Sequence, residues 1–397
     1  MPAHALDSLG TAIEAGAMPL LERLNIAVFC KKDGSQSLLR AFCKDACPKL
    51  RELNFPFTDF PKSADEDEDE DEQTEEVLQS FARMLEARKG LGYCAGLKQL
   101  PPSLLGYVSV DVKMRVWLAT LGTLEQLVLH TGVESEESCA RLASMIEGEH
   151  VLAPQLMHLE FSNAFSGDDG AASVFQAMRT KPIVFRSVQT LEVVSRHMGV
   201  NACRALGSAL QKNALPQLRT LRLTGSLIGS NGFISLLRGI EHSACANTLR
   251  ALQVSGCGIG VEGAKLLGLL IGRDFLPSLQ ELVLSVNKNL GDEGVTYLTQ
   301  SLQASSKTKL NSLGLNSVGM GEAGLKSLAE AIGGGPLLEC KRIYAHHNAP
   351  LRNVIPFSNA LRSGGLKNRT NVTFSRSNIA LEAVTVLAHS LLEHCPT

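Results

Sequence analysis

The sequence predicts an α/β solenoid in which a parallel sheet lines one side and helices line the other. Between Pro216 and Leu328, one pattern occurs four times: L-x-x-L-x-L, then a glycine-containing turn and an apolar helix. Alternating leucines are typical of a strand, and apolar residues three and four apart are typical of a helix. The four copies open at Leu218, Leu249, Leu279 and Leu310, with intervals of 31, 30 and 31 residues. A fixed period of this length indicates stacked repeats.

The same phase extends the pattern toward both ends of the chain. Further strand openings occur at Leu21, Leu50, Leu97, Leu124, Leu156, Val188, Cys340 and Arg369. Twelve strands therefore fit the period, with intervals of 27 to 32 residues and a single longer interval of 47 residues after Leu50. We predict a single domain of about twelve repeats over residues 1–397, because a solenoid grows by adding units.

The long interval contains an acidic insertion near residues 58–75. Asp65 to Glu72 are eight consecutive acidic residues, and Glu75 and Glu76 follow closely. Such a run repels itself and cannot bury apolar surface, which predicts a disordered loop. Removing these ten acids changes the formal net charge of the chain from −2 to +8. The insertion is therefore either a passive solvated loop or a regulatory tail that binds a basic partner. We expect its excision to leave thermal stability nearly unchanged.

Composition narrows the class and location of the protein. With 44% hydrophobic and 20% charged residues, the chain has the material for a continuous core, which excludes a disordered protein. The ten cysteines are scattered without a zinc-binding pattern. No secretory signal begins the chain, and no apolar run approaches the roughly 20 residues of a membrane span. We therefore expect an intracellular, cytoplasmic protein with reduced thiols. Neither terminus carries an obvious polar cap, so we also expect a fragment of a longer protein.

The repeat, written L-x-x-L-x-L-x-x-N/C followed by I-G-x-x-G-x-x-x-L, resembles the leucine-rich repeat family. It is most similar to the long, helix-bearing subtype typified by the ribonuclease inhibitor. Asn287, Asn348 and Cys257 occupy the Asn/Cys position, whereas most other copies carry Ser, Gly, Ala or Arg there. The resemblance covers Leu21 to Leu392 and implies a horseshoe with a concave parallel sheet and convex helices. It also implies that the Asn side chain hydrogen-bonds neighbouring turns.

Two glycine motifs match the spacing of a dinucleotide-binding loop. Gly258, Gly260 and Gly263 follow a predicted strand and open a helix, and the same spacing recurs from Gly319. A nucleotide site belongs to one turn, whereas these glycines belong to a series that runs through the repeats. We interpret them as turn residues and predict no cofactor. The sequence also contains no coherent catalytic set and no metal-ligand pattern, which predicts a protein that is not an enzyme.

In the family that the repeat resembles, the third and fifth positions of L-x-x-L-x-L, and the next residue but one after the fifth, project from the concave sheet. Tyr and Arg dominate protein interfaces, so our preferred partner-binding group is Arg342, Tyr344 and His346. A second candidate group carries charges of both signs on neighbouring strands. Its members are His130, His158, Glu160, Glu192 and, on the following strand, Arg222. The alternative for both groups is an ordinary solvated sheet face.

Two functions follow from these observations. The first is a non-enzymatic scaffold that binds a partner protein on the concave sheet, with no nucleic-acid or membrane partner. The second is a GTPase-activating protein resembling the Ran-directed family, which also pairs this repeat subtype with an acidic segment. That family carries its acidic run after the repeats, and its functional Arg lies in an early loop, where this chain has Lys31 and Lys32.

Overall fold

The structure is a computed structural model in which the repeat pattern becomes strands and helices. It describes residues 3–25, 40–42, 47, 49, 52–54, 79–80, 83, 114–118, 121–122, 124–130, 135–148, 151–333, 335–337, 340–348, 355–362 and 371–373. The strands are β1 (Arg23–Asn25), β2 (Glu52–Asn54), β3 (Gln126–His130), β4 (His158–Ser162), β5 (Thr190–Val194), β6 (Thr220–Thr224), β7 (Ala251–Ser255), β8 (Glu281–Val283), β9 (Ser312–Gly314), β10 (Arg342–Tyr344) and β11 (Asn371–Thr373). The helices are α1 (Ala3–Glu14), α2 (Glu136–Glu147), α3 (Asp168–Thr180), α4 (Val200–Gln211), α5 (Gly229–Glu241), α6 (Val261–Gly272), α7 (Gly291–Ala304), α8 (Glu322–Gly333) and α9 (Ile355–Arg362).

The sheet confirms the predicted fold class. β3 to β11 form one nine-stranded parallel sheet in chain order, and β1 pairs with β2 in parallel. Eleven of the twelve predicted strands lie in the described part of the chain, and each begins two residues after its predicted opening. The strand predicted from Leu97 and the acidic insertion lie outside the described residues. The single-domain organisation over 1–397 stays a prediction.

Side chains alternate between a buried and an open face along the strands. In β4, β5 and β7 the second and fourth residues are buried and the others are partly exposed. The buried residues join the apolar sides of the helices in one core; Leu221 and Leu223 of β6, for example, share it with Leu236 of α5. One face of the sheet is therefore covered, and we call the other the open sheet face.

Buried asparagine side chains connect successive turns, as the family resemblance implies. The amide oxygen of Asn287 accepts hydrogen bonds from the backbone N–H groups of Cys257 and Ile259, both at 3.0 Å. Its amide nitrogen donates to the carbonyl of Val254 at 2.7 Å. Asn348 accepts and donates in the same pattern toward the preceding repeat. Cys257, at the equivalent position, donates its thiol proton to a backbone carbonyl at 3.3 Å.

The corner after each strand needs a left-handed backbone. The eighth residue of the repeat has positive φ at Asn163 (48°), Gly225 (72°), Gly256 (66°), Val286 (61°), Ser317 (52°) and His347 (55°). Glycine adopts this conformation readily, whereas a β-branched residue does so at a cost. Val286 is therefore a strained position in a series that elsewhere includes glycine.

Helices in the described ranges stay short. Among these residues, no helix combines the length and the apolar character that crossing a membrane requires.

Candidate functional site

The open sheet face carries the first group of polar side chains on β4, β5 and β6. The strand register places Glu160 directly beside Glu192, and Glu192 directly beside Arg222. His158 lies two residues before Glu160 and therefore on the same face of β4. These four residues share a face because the repeat period holds equivalent positions in register. We call them the β4–β6 cluster.

Three members of the β4–β6 cluster converge. The Nε2 atom of His158 lies 3.4 Å from Oε2 of Glu160, and one ligand-type atom from each of His158, Glu160 and Glu192 lies within 4.8 Å of the other two. Their side chains are 26%, 24% and 23% exposed. They are thus restrained by neighbours but open to solvent. Within the described ranges, this is the one group of His, Cys, Asp and Glu side chains that is close enough to hold a metal ion.

Arg222 completes the β4–β6 cluster through a single hydrogen bond. Its Nη1 atom donates to Oε2 of Glu192 at 3.2 Å, and 41% of its side chain is exposed. Its Nε atom is buried without a hydrogen-bond partner. The guanidinium therefore does not use the two-pronged geometry that makes Arg–carboxylate pairs strong. On the next strands, Gln253 donates a hydrogen bond to Glu281.

The second group, which we call the β10 group, consists of Arg342, Tyr344 and His346. Arg342 is exposed, while Tyr344 and His346 are half-buried. The rings of Tyr344 and His346 lie 6.3 Å apart, centroid to centroid, with 32° between their planes. Nε2 of His346 lies 3.1 Å from the hydroxyl of Thr373. These contacts place the two rings next to each other on the open sheet face, beside the exposed Arg342 side chain.

Small residues on β9 lie directly beside the β10 group. In register, Arg342 stands beside Ser312, and Tyr344 stands beside Gly314. Both neighbours are buried, as is Ser285. Four strand steps separate β6 from β10, which corresponds to roughly 19 Å.

Sequence reasoning grouped one residue that the structure keeps apart, and it missed another. His130 registers with Ser162, whereas His158 registers with Gln126 at the other end of the strand pair. Four residues along a strand therefore separate the backbone positions of His130 and His158 by roughly 13 Å. Thr373, which contacts His346, was not singled out. Its place at the fifth position of the repeat that opens at Arg369 is the signal that could have identified it.

The glycine turns confirm the structural interpretation of the G-x-G-x-x-G spacings. The N–H of Gly260 donates to the hydroxyl of Ser230 at 2.9 Å, and the N–H of Gly321 donates to the carboxylate of Asp292 at 2.6 Å. A phosphate-binding loop needs such N–H groups to point at the ligand. Here the side chain of the preceding repeat already accepts them. Asp168 accepts from Gly199 at 2.8 Å in the same manner.

The cysteines in the described ranges are buried and unpaired in disulfides. They are Cys47, Cys139, Cys203, Cys245, Cys257 and Cys340. Burial raises the pKa of the Cys245, Cys257 and Cys340 thiols to about 11. Because the thiolate is the reactive form, these side chains act as small core residues.

Comparisons with known proteins agree with the repeat pattern. The family described as Leucine Rich repeat matches residues 245–268 and 275–298. Ribonuclease inhibitor from Mus musculus is 28% identical over 200 residues, which are 50% of this chain and 40% of that protein. NACHT, LRR and PYD domains-containing protein 12 from Homo sapiens is 30% identical over 165 residues, 42% of this chain and 14% of that protein. The match thus covers under half the length of each relative.

A structural comparison gives a similar but weaker likeness. An internalin from Listeria monocytogenes is 13% identical, with a TM-score of 0.46, over 97% of this chain and 92% of that chain. Nothing in these comparisons favours the alternative of a GTPase-activating protein. Residues 31 and 32, which bear on that alternative, lie outside the described ranges.

Proposed function

Because the chain is a leucine-rich repeat protein of the ribonuclease-inhibitor-like type, we propose that it binds a partner protein on the open sheet face and catalyses no reaction itself. The observation that carries this proposal is the sheet face itself. Nine parallel strands at about 4.8 Å spacing make it roughly 38 Å wide between its outer strands. With strands of up to five residues, about 16 Å long, the face has a flat area of about 600 Å², which is most of the about 800 Å² that a standard interface buries on each partner.

We propose the β10 group as the energetic centre of the interface. Tyr and Arg are enriched where truncation costs most binding energy, and Tyr also buries a large area at low entropic cost. The contact between His346 and Thr373 and the proximity of the two rings restrict Tyr344 before a partner arrives. Exposed Arg342 adds a guanidinium that can form two parallel hydrogen bonds with a carboxylate of the partner.

A protein suits this face better than a nucleic acid does. Nucleic-acid binding relies on neutralising phosphates with Lys and Arg. The open face instead presents Glu160, Glu192 and Glu281, of which Glu192 is paired with Arg222. These carboxylates, on β4, β5 and β8, would repel a phosphate backbone. We further propose that the protein acts inside the cell, because the six cysteines of the described ranges are buried free thiols, which suit a reducing compartment.

The test compares three baits made from the full chain. Wild type, the double variant Arg342→Ala/Tyr344→Ala and the control Lys326→Ala/Tyr297→Ala are immobilised in cell extract, and bound proteins are quantified by mass spectrometry. The control removes the same residue classes from the helix layer, where Lys326 and Tyr297 are exposed. We expect a partner that both wild type and control retain and that the β10 variant loses by at least tenfold. Equal recovery by all three baits would refute the β10 group as the binding centre.

A further inference from the structure

We propose that His158, Glu160 and Glu192 form a binding site for a divalent transition-metal ion, with Zn²⁺ as the best match. The site lies on β4 and β5, at the opposite side of the open face from the β10 group. It does not depend on the proposed protein partner. Neither the repeat pattern nor the family resemblance assigns a metal to these residues.

The spacing of the donor atoms carries the proposal. Zn²⁺ binds His nitrogen and carboxylate oxygen at about 2.0–2.2 Å with tetrahedral geometry, which puts neighbouring ligand atoms about 3.4 Å apart. The distance from Nε2 of His158 to Oε2 of Glu160 is 3.4 Å. That distance is long for a hydrogen bond between a ring N–H and an oxygen. It is the length of a tetrahedral edge.

Glu192 is near enough to supply the third ligand. Its ligand-type atom lies within 4.8 Å of those of His158 and Glu160. Bringing this atom to about 3.4 Å from both of the others requires a movement of about 1.6 Å or less in one side chain. All three side chains are about a quarter exposed, so a torsional change can provide this movement without disturbing the core. The backbone positions are fixed by the strand pairing of Glu160 with Glu192.

Electrostatics favours a cation at this point. Two carboxylates that stand directly opposite each other on neighbouring strands repel. Arg222 offsets this repulsion through one hydrogen bond at 3.2 Å to Glu192, and no such bond is made to Glu160. A divalent ion between the carboxylates would neutralise both charges. The Arg222 guanidinium, on a side chain that is 41% exposed, can turn away from Glu192 toward solvent to admit the ion.

The ligand types select the metal. An imidazole nitrogen suits zinc, copper, nickel and cobalt, whereas Mg²⁺ and Ca²⁺ require oxygen ligands in larger number. Three protein ligands leave a fourth tetrahedral position open to the solvent side of the sheet. Such an open position can be occupied by water or by a ligand atom from outside the chain.

The experiment titrates the chelator-treated full chain with Zn²⁺ by isothermal titration calorimetry. We expect one zinc ion for each chain at this site, and no corresponding signal with Mg²⁺. His158→Gln and Glu160→Gln should each weaken this binding by at least tenfold. Glu281→Gln, on the same face but outside the cluster, is the matched control and should bind as wild type does. Circular dichroism confirms that each variant is folded.

Two further measurements distinguish this site from zinc binding elsewhere on the chain. Arg222→Met should tighten zinc binding, because it removes both a competing hydrogen bond and a positive charge. Substitution of Co²⁺ for Zn²⁺ should give visible absorption of a nitrogen–oxygen site without the charge-transfer band of a thiolate ligand. Zinc binding that is unchanged in His158→Gln and Glu160→Gln, or that weakens in Arg222→Met, would overturn the proposal. So would a chain that binds no zinc in the titration.

Discussion

Substitution of Asn287 by Ala should destabilise the protein far more than a typical surface change. The side chain is fully buried. Its oxygen accepts hydrogen bonds from Cys257 and Ile259, and its nitrogen donates to Val254 and Leu284. Alanine leaves two buried N–H groups without an acceptor, each at a cost of about 1–3 kcal/mol. We therefore expect a loss of about 4 kcal/mol in the free energy of unfolding.

Urea denaturation followed by far-ultraviolet circular dichroism measures this loss. The matched control is Asn289→Ala, since Asn289 lies two residues away on the exposed side of the same loop. Exposed substitutions of this kind change stability by about 0.5 kcal/mol or less. A loss below about 1 kcal/mol for Asn287→Ala would refute the reasoning, because the orphaned N–H groups would then have found other acceptors.

Three further predictions concern backbone contact, backbone strain and acid stability. Gly239→Ala should lower the free energy of unfolding by on the order of 3 kcal/mol in urea denaturation, because the added Cβ would overlap the backbone of Gly207. The control Gly122→Ala should be near neutral, because the space around Gly122 is free. Val286→Gly should raise stability by about 1 kcal/mol in the same assay, since it relieves a left-handed β-branched residue that is 54% exposed. Hydrogen bonds, first from the Ser306 hydroxyl, lower the pKa of Asp274 from 3.8 to about 2. The stability that ionised Asp274 contributes is therefore present above about pH 4 and is lost as the pH falls toward 2. Melting curves from pH 6 to pH 2 should show that Asp274→Asn loses less stability on acidification than wild type does.

The strands could be predicted because the spacing of the leucines in each repeat fixes the register of its strand. Leucines one, four and six of each copy must face the same core, so a shift of one residue would expose all of them. The same period fixes Glu160, Glu192 and Arg222 at one position of successive repeats. Their adjacency on the open face therefore follows from counting residues.

Other features depend on where side chains turn, which the period does not determine. The sequence placed His158 and Glu160 on one face but could not set the 3.4 Å between their ligand atoms. Asp168 stands at the start of α3, where an acidic residue is expected to favour its own helix. Its carboxylate instead accepts hydrogen bonds from Gly199 and Ala202 at the start of α4. Asp292 accepts in the same way from Gly321 and Gly324, so this contact recurs between repeats although the strand pattern does not predict it.

The two polar groups place different demands on a partner. Six strand steps from β4 to β10 correspond to roughly 29 Å, close to the diameter of a small domain. One partner that contacts both groups must therefore span about 29 Å, as a small domain does or as an extended peptide of about nine residues does. A bound metal ion would also change which partner charge the β4–β6 cluster attracts. Glu160, Glu192 and Arg222 together carry one net negative charge, and a bound divalent ion would make the sum positive by one. If both proposals hold, bound zinc would make the β4–β6 cluster attract an acidic patch on the partner instead of a basic one. The β10 group would be unaffected, because its distance from the cluster exceeds the screening length of about 8 Å at physiological salt.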